Sequence, residues 1–346
     1  MTYRVGIVGA GFLTRHSLIP ALRDMPGGRL AAVLDPDPQA LAMAAPDCPD
    51  AFLTTDKDAF FDVVMDAVHV ATPNHLHERF TIRALERGLA VVVDKPLAHT
   101  VASGRNIVTA GAGAAAPAIV GYMSKHNVYN REARRLVAAG AIGTPQAMVA
   151  ARLGWRKDDW RSRPAESGLG CLADLGIYPV LTAIDIFGAD PVRCQAAAWP
   201  VGDPTRTDLY AQATLWFDDR RYLHFETAAT FHEQPASAEV ASYTVVGDAG
   251  IIQVTGAWQM DGTGALQMCD TSGWRPAAAL TPVDPYRSQY ELLARCAAGE
   301  PVPGEVSLER GLRDLEILYV IADTAAARAG AGAVQVSGGA PLAEVR

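Results

Sequence analysis

Two glycines lie directly after the first apolar run of the sequence, where backbone can approach a phosphate. The run Tyr3 to Val8 leads into a Gly-Ala-Gly turn, and apolar residues then recur with the period of a helix. Gly9 permits a tight turn, and Gly11 lacks the Cβ atom that would hold phosphates away from the backbone. A strand, a glycine turn and a helix in this order bind the pyrophosphate of a dinucleotide. The sequence therefore predicts a nucleotide site at these glycines and at Phe12 and Leu13.

Two further residues define this predicted site. Thr14 stands where glycine or alanine would let the helix pack closest on the strand, so the helix sits further out or the threonine finds a partner. Asp35 ends the next apolar run, about 20 residues beyond Thr14, which is the spacing of the acid that accepts a ribose 2′-hydroxyl. A carboxylate there accepts both ribose hydroxyls of NAD and repels the extra phosphate of NADP. We therefore predict NAD; a plain turn at Asp35 and the use of NADP are the alternatives.

Polar residues also follow the third apolar run, Ala67 to Ala71. Thr72 and Asn74 either hydrogen-bond a cofactor ribose or cap the next helix, for which asparagine is well suited. His75 is included among the predicted cofactor contacts. It lies two residues from His77, a spacing that puts the two rings on different helix faces and argues against a metal pair.

Lys95 follows the fourth apolar run, Leu89 to Val93. Parallel strands bind ligands outside their carboxyl ends, so a lysine at the end of a buried strand points into the nucleotide crevice. A solvated lysine is the alternative. We predict that Lys95 is functional.

Strand-like runs and helical patterns alternate from residue 1 to about 122, which predicts a doubly wound parallel sheet with helices on both faces. Beyond residue 122 the runs become turn-punctuated and helices are few until the last 60 or so residues, which predicts a mostly antiparallel sheet in an α+β domain. The expected domains are 1–122, for the dinucleotide, and 123–346, for substrate binding and oligomerisation.

Composition narrows the possible partners. The 346 residues exceed one typical core, the formal net charge is −8, and no basic run exists, which argues against nucleic acid and anionic membranes. The five cysteines are widely spaced and form no C-x-x-C pair, so neither a disulfide framework nor a zinc site is indicated. The apolar runs are short and the first residues lack a signal-peptide pattern, so we expect a cytoplasmic protein.

The second half contains a further group of candidate residues. Asp174 and Tyr178 lie one turn apart and share a helix face. The loop before them is the most basic local stretch of the chain, and Arg161 in this loop either binds an anionic group of a substrate or is solvated. Trp160 either offers a stacking face to a ring or packs in the interior. The other basic residues nearby are Arg152, Arg156, Lys157 and Arg163.

Over nearly its whole length the sequence resembles the glucose-fructose oxidoreductase / inositol dehydrogenase (Gfo/Idh/MocA) family. The resemblance rests on Gly9-Ala10-Gly11 with Asp35, on Asp94-Lys95-Pro96 in place of the usual Glu-Lys-Pro, on Trp160-Arg161, and on the stretches 168–178, 243–252 and 284–289. It implies a Rossmann domain, a second domain whose open sheet builds homodimers or homotetramers, and hydride transfer between a nicotinamide and a secondary alcohol of a sugar or cyclitol.

The resemblance also implies roles for the candidate residues. Many members carry a histidine acid/base where this chain has Tyr178, so the chain is similar to the tyrosine-using branch. A phenol of ordinary pKa, about 10, is a weak base, and an ammonium such as that of Lys95 stabilises its phenolate. Asp174 orients Lys95 or a substrate hydroxyl, or forms a plain helix salt bridge. Asp94 is one methylene shorter than the usual glutamate that contacts the nicotinamide ribose, and the Lys95–Pro96 bond is expected to be cis.

The leading hypothesis from the sequence is an NAD-dependent oxidation of a ring hydroxyl of a sugar, aminosugar or nucleotide sugar to a ketone. An NADPH-dependent sugar ketoreductase and an inositol dehydrogenase are alternatives of the same class. A catalytically silent nucleotide-binding regulatory protein is the alternative from another class, and the presence of Lys95, Asp174 and Tyr178 argues against it.

Overall fold

The computed structural model describes residues 2–155, 159–231, 239–277 and 279–330. Its strands are β1 (Tyr3–Val8), β2 (Gly28–Leu34), β3 (Phe52–Thr54), β4 (Ala67–Val70), β5 (Ala90–Asp94), β6 (Ala118–Gly121), β7 (Pro145–Trp155), β8 (Arg193–Trp199), β9 (Tyr210–Trp216), β10 (Tyr222–Phe231), β11 (Val240–Gly247), β12 (Ile251–Thr255), β13 (Ala265–Asp270) and β14 (Gly273–Pro276). Its helices are α1 (Ile19–Asp24), α2 (Pro38–Ala44), α3 (Lys57–Phe61), α4 (His77–Glu86), α5 (Val101–Gly113), α6 (Val128–Ala138), α7 (Pro164–Ser167), α8 (Ile177–Phe187), α9 (Pro285–Ala297) and α10 (Leu308–Gly330).

The first sheet is parallel throughout, in the order β3-β2-β1-β4-β5-β6, which confirms the predicted Rossmann class. Every residue of β4 and β6 is buried, as expected for strands with helices on both faces. The sequence analysis missed β3 and α3. Three- and five-residue elements are too short to show a period.

The glycine turn after β1 has the predicted geometry. Gly9 has φ +103°, and a Cβ there would lie 2.4 Å from the carbonyl oxygen of Ala71. Thr14 is buried, and its hydroxyl donates a hydrogen bond of 2.6 Å to the Gly9 carbonyl. The turn Thr14–Leu18 that precedes α1 is π-helical. Of the two expectations for Thr14, the structure supports the one in which the side chain finds a partner.

The second sheet has eight strands in the order β14-β13-β12-β11-β7-β10-β9-β8. Only the β7 and β10 pair is parallel among the pairings of the described residues, so the sheet is mostly antiparallel, as predicted. Burial alternates along β9 and β11, because one face of the sheet packs on the core. The short strand β14 and the strand β8 were not separately predicted.

Helix α8 lies in the interior of this domain, and every residue of it except Asp185 is buried. The stretch Pro164–Phe187 is apolar and long enough to cross a membrane, but 78% of its apolar window is buried inside the fold, as in the core helix of a globular domain. Helix α9 returns to pack against β5 and β6, and α10 contacts both α5 and β8. The last two helices, which follow the second sheet in the chain, therefore also pack on elements of the first domain.

Candidate active site

A cleft of about 370 Å³ lies between the carboxyl edge of the parallel sheet and the second domain. The strand order brings the segments after β1, β4 and β5 to this edge, and β7 with the helical segment 171–187 forms the opposite wall. The predicted site residues that line the cleft are Gly11, Phe12, Leu13, Thr72, Asn74, Asp94, Lys95, Trp160, Arg161, Asp174 and Tyr178. Residues far apart in the chain thus converge in one cavity.

Lys95 reaches across the cleft from the end of β5 to the second domain. Its ammonium donates hydrogen bonds to the Asp174 carbonyl oxygen, at 2.6 Å, and to Asp174 Oδ1, at 2.8 Å. Burial alone lowers the pKa of Lys95, but the charge and hydrogen bond of Asp174, together with Tyr178, outweigh it, so the pKa is raised above its ordinary value. Lys95 is therefore a fixed ammonium at neutral pH.

Tyr178 lies beside this ammonium, with Lys95 Nζ 5.0 Å from the centre of its ring. The ring is 8% exposed and stacks on Trp258, with the ring centres 6.2 Å apart. Within the described residues the hydroxyl makes no hydrogen bond, although the side chain lines the cleft. The phenol is thus held at its ring and is available at its oxygen.

Asp174 connects Lys95 to the basic loop. Its Oδ2 lies 3.5 Å from Arg161 Nε, and Arg161 also donates a hydrogen bond of 2.6 Å to Asp159. The Arg161 guanidinium covers the Trp160 ring at 4.3 Å. Both residues line the cleft as predicted, and Arg161 is ion-paired rather than solvated. Arg156 and Lys157, from the same basic stretch, lie outside the described residues.

Positive charge along the cleft is balanced. Buried Arg152 donates a hydrogen bond of 2.9 Å to Glu239, and both line the cleft. Within the described part of the chain, the cationic side chains of the lining are Lys95, Arg152 and Arg161, and each pairs with a carboxylate. The described residues of the cleft therefore offer hydrogen-bond donors and acceptors in charge pairs, and their positive charges do not exceed their negative charges.

The glycine turn forms the other end of the cleft. A Cβ at Gly11 would meet no atom within 4 Å, so the backbone there faces open space that suits a pyrophosphate. Asp35 follows β2 and accepts hydrogen bonds from the backbone N–H groups of Ala10, at 2.7 Å, and Asp37, at 2.9 Å. These bonds hold the Asp35 carboxylate beside the turn, where a ribose bound to it would lie. The residues present fit a dinucleotide.

The loop after β4 differs from the sequence predictions. The Asn74 amide donates a hydrogen bond of 2.9 Å to the Ser167 carbonyl in the second domain, so Asn74 joins the domains and does not cap a helix. The Thr72 hydroxyl donates to Pro73 at 3.2 Å. His75 does not line the cleft; its ring faces His99, 6.4 Å away, and a groove along α4. The cofactor contact predicted at His75 stays a prediction.

His77 connects the two loops that follow β4 and β5 on the first-domain side of the cleft. Its Nδ1 is 3.0 Å from the Pro96 carbonyl oxygen, and its Nε2 is 3.0 Å from that of Thr72. The ring is fully buried, and burial lowers its pKa. The Lys95–Pro96 bond is cis, as the resemblance implied.

Four aromatic or acidic residues of the cleft were not assigned from the sequence: Asp159, Glu239, Trp258 and Tyr286. Trp258 follows β12 and stacks on Tyr178, and its indole N–H donates to the Thr182 hydroxyl at 3.1 Å. No sequence signal links Trp258 to Tyr178, because the two lie on separate elements that only packing brings together. Tyr286 lies within the stretch 284–289, which resembles the family, and only this resemblance could have pointed to it from the sequence.

Cys171 lies beside the site but is not exposed to it. Its thiol is 3% exposed and lies 3.1 Å from Asp208 Oδ2. Burial and the Asp208 carboxylate raise its pKa well above the ordinary value, which keeps the sulfur protonated. Cys171 is therefore a structural thiol rather than a nucleophile.

Comparison with known families gives matches over both domains. A model described as an oxidoreductase family with an NAD-binding Rossmann fold matches residues 3–122, and one described as the Gfo/Idh/MocA C-terminal domain matches residues 130–253. The two matches together cover more than half of the chain, and their boundary falls where the parallel sheet ends.

Individual relatives share about a quarter to a third of their residues with this chain over the matched regions. A 1,5-anhydro-D-fructose reductase from Ensifer adhaerens is 27% identical over 58% of this chain and 61% of its own length. Inositol 2-dehydrogenase 4 from Saccharopolyspora erythraea is 34% identical over 42% of this chain and 44% of its own length. The chain therefore matches less than two thirds of either relative. The crystal structure of an aldose-aldose oxidoreductase from Caulobacter crescentus with glycerol has a TM-score of 0.82 and 26% identity, and the match covers 94% of this chain and 98% of that one.

Proposed function

Because this chain belongs to the Gfo/Idh/MocA family of oxidoreductases, we propose that it transfers hydride between NAD and the ring carbon that bears a secondary hydroxyl of a sugar. The observation that carries the proposal is the convergence of Lys95, Asp174 and Tyr178 in a cleft that begins at the glycine turn. A phenol beside an ammonium is the pair that proton transfer at an alcohol needs.

Each residue has a separate task in this mechanism. In oxidation the Tyr178 oxygen takes the proton of the substrate hydroxyl, and in reduction it returns that proton to the carbonyl oxygen. The Lys95 ammonium stabilises negative charge on the phenol oxygen and on the developing alkoxide. Asp174 fixes the ammonium through two hydrogen bonds. Bound NAD supplies the hydride acceptor.

Among the described residues, the balance of charge in the cleft favours an uncharged ring as substrate. A phosphate or diphosphate is bound by guanidinium groups with bidentate geometry, but Arg152 and Arg161 already pair with carboxylates. A polyhydroxylated ring both donates to carboxylates and accepts from guanidinium groups, so it fits such pairs without displacing them. We therefore place neutral sugars ahead of sugar phosphates and nucleotide sugars.

Asp35 supports NAD over NADP in this proposal. Its carboxylate is held next to the glycine turn by two backbone N–H groups, where it would repel a 2′-phosphate. An Asp35→Ser variant should lose about tenfold of the NAD preference, measured as the ratio of kcat/KM for the two cofactors. A wild-type protein that prefers NADP would contradict this assignment and would favour the NADPH-dependent ketoreductase.

A substrate screen tests the proposed activity. Neutral sugars, inositol, aminoglycosides, sugar phosphates and nucleotide sugars are incubated with NAD or NADP, and reduced nicotinamide is followed by its absorbance. We expect turnover with a neutral ring and a loss of about 10³-fold in kcat for Tyr178→Phe, which keeps the ring and removes the proton carrier. Full turnover by Tyr178→Phe would remove Tyr178 from the mechanism, and cofactor binding without turnover would favour a regulatory protein.

The outer face of the second sheet supports a proposed homo-oligomer. Val149, Tyr222 and Val240 lie on β7, β10 and β11 with 49%, 37% and 40% exposure. Apolar side chains on adjacent strands of an open sheet are typical of a face covered by another subunit. Light scattering on the purified chain measures whether it forms the expected dimer or tetramer.

A further inference from the structure

His69 is buried at the centre of the parallel sheet and has a partner at each ring nitrogen. Nδ1 lies 2.7 Å from the hydroxyl of Tyr290, and Nε2 lies 3.1 Å from Oδ1 of Asp94. Both His69 and Tyr290 are 0% exposed. A polar group is rarely buried to this depth unless its hydrogen bonds have a use or complete a network.

The protonation of the Tyr290 phenol, the His69 ring and the Asp94 carboxylate determines which atom donates each hydrogen bond. Burial and the carboxylates of Asp94 and Asp284 raise the pKa of Tyr290 well above the ordinary value, so the phenol keeps its proton. Among the described residues the acceptor for that proton is Nδ1 of His69. A ring nitrogen that accepts carries no hydrogen, so the hydrogen is on Nε2 and is donated to Asp94.

Asp94 is thereby fixed at one oxygen and open at the other. Oδ1 accepts from His69, and in the described part of the chain no hydrogen bond engages Oδ2. Asp94 lines the cleft, and its carboxylate lies over Gly121, where a Cβ would come within 2.9 Å of Oδ1. The histidine and the missing Cβ together determine where this short side chain lies.

Strand order indicates which part of the cofactor Asp94 meets. The glycine turn follows β1 and Asp35 follows β2, whereas Asp94 and Lys95 end β5 on the other side of β1. A dinucleotide whose adenosine ribose is at Asp35 and whose pyrophosphate is at the glycine turn must extend toward β5 with its second ribose. That ribose carries two hydroxyl donors, and a fixed carboxylate oxygen accepts them.

We propose that His69, oriented by Tyr290, is a positioning residue that holds the Asp94 carboxylate as the acceptor for the nicotinamide ribose. The inference rests on the proposed function, since it assumes that a dinucleotide occupies the cleft. It assigns a binding role to a histidine that lies wholly in the core and touches no ligand.

Calorimetry with three ligands on the full chain tests this role. ADP contains the adenosine and the pyrophosphate, ADP-ribose adds the second ribose, and NADH adds the nicotinamide. His69→Leu should raise the Kd of ADP-ribose and NADH by about tenfold and leave that of ADP unchanged, because a hydrogen bond to a charged group is lost only from the second ribose site. His69→Gln, whose amide can donate from about the place of Nε2, should bind ADP-ribose nearly as well as the wild type.

Asp94→Ala and the double variant make the test specific. If His69 acts only through Asp94, His69→Leu will change the Kd of ADP-ribose no further in the Asp94→Ala background. Tyr290→Phe removes the hydroxyl that orients His69, so it should raise the Kd of ADP-ribose and NADH and leave that of ADP unchanged. Tyr243→Phe is its control: it removes a buried hydroxyl for which the described residues offer no hydrogen-bond partner, and it should leave all three Kd values unchanged. Equal weakening of ADP and ADP-ribose, or additive effects of the two substitutions, would overturn the proposal. If wild type binds none of the three ligands, the proposed function itself fails.

Discussion

Two lysine–aspartate pairs join the segments that follow β5 and β6 to one helical segment of the second domain, and only one of them has a place in the proposed chemistry. Lys95 follows β5 and pairs with Asp174 at 2.8 Å; Lys125 follows β6 and pairs with Asp185 at 2.6 Å. Both carboxylates belong to the continuous helical segment 171–187. The pairs are therefore alike in residue type, in length and in the elements that they connect.

The surroundings of the two ammonium groups differ. The Lys95 side chain is 15% exposed, lines the cleft and faces the Tyr178 ring, whereas the Lys125 side chain is 4% exposed and lines a small polar crevice. A charge pair becomes useful in catalysis when one of its members also faces a space that a substrate can enter. Without that space the same pair contributes to folding alone.

The largest expected effect is the loss of kcat when Lys95 is replaced. Lys95→Met removes the charge that stabilises the phenolate and the alkoxide, so kcat should fall by about 10³- to 10⁴-fold. The measurement is the steady-state rate with the substrate found in the screen, at saturating cofactor. Thermal unfolding of the same sample shows whether the loss is due to folding. Turnover at the wild-type rate would exclude Lys95 from the chemistry.

The same substitution at the other pair should act on stability. Lys125→Met leaves the partly buried carboxylate of Asp185, which is 21% exposed, without its partner and should lower the free energy of unfolding by about 1–3 kcal/mol, as determined by denaturant titration. The kcat of the folded fraction should stay within about twofold of the wild type. A loss of kcat as large as that of Lys95→Met would show that the two pairs do not have separate functions.

Asp174→Asn is expected to change the pH dependence of the reaction. The pKa of Lys95 is raised because the attraction of Asp174 exceeds the cost of burial, so removing the charge must lower it. A lysine is active while protonated, below its pKa, so the alkaline limb of the kcat profile should move to lower pH and kcat at neutral pH should fall about tenfold. Asp185→Asn is the matched control and should leave that limb in place. An unmoved limb in Asp174→Asn would contradict the electrostatic role of Asp174.

The smallest effect on stability and kcat is expected at Thr182, which lies between Asp174 and Asp185 in the helical segment. The Thr182 hydroxyl bonds back to the Tyr178 carbonyl at 2.9 Å and accepts from Trp258 at 3.1 Å. Thr182→Ala should lower stability by about 1–2 kcal/mol and change kcat less than threefold, because Trp258 stays packed on Tyr178. Thr324→Ala removes the same kind of back-bond from α10 and is the matched control. A large loss of kcat would mean that this hydrogen bond, rather than packing, holds the tyrosine ring.

Local patterns predicted much of this molecule. The apolar runs of the first half gave the positions of β1, β2, β4, β5 and β6 to within a few residues, since a buried parallel strand is a continuous apolar run bounded by turns. Lys95 could be singled out because a residue at the end of such a strand must face the ligand edge. By contrast, β3 and α3 consist of three and five residues, which are too few to show a period.

The sequence by itself determined which residues follow the strands and share helix faces, because both properties depend on neighbours within a few positions along the chain. It did not determine that Asn74 would contact Ser167, that Trp258 would stack on Tyr178, or that His69 would reach Asp94 and Tyr290. Those contacts join residues from separate elements, and their geometry depends on how helices and sheets pack. Tertiary structure alone therefore distinguished the lysine that faces the cleft from the more deeply buried lysine that pairs with Asp185.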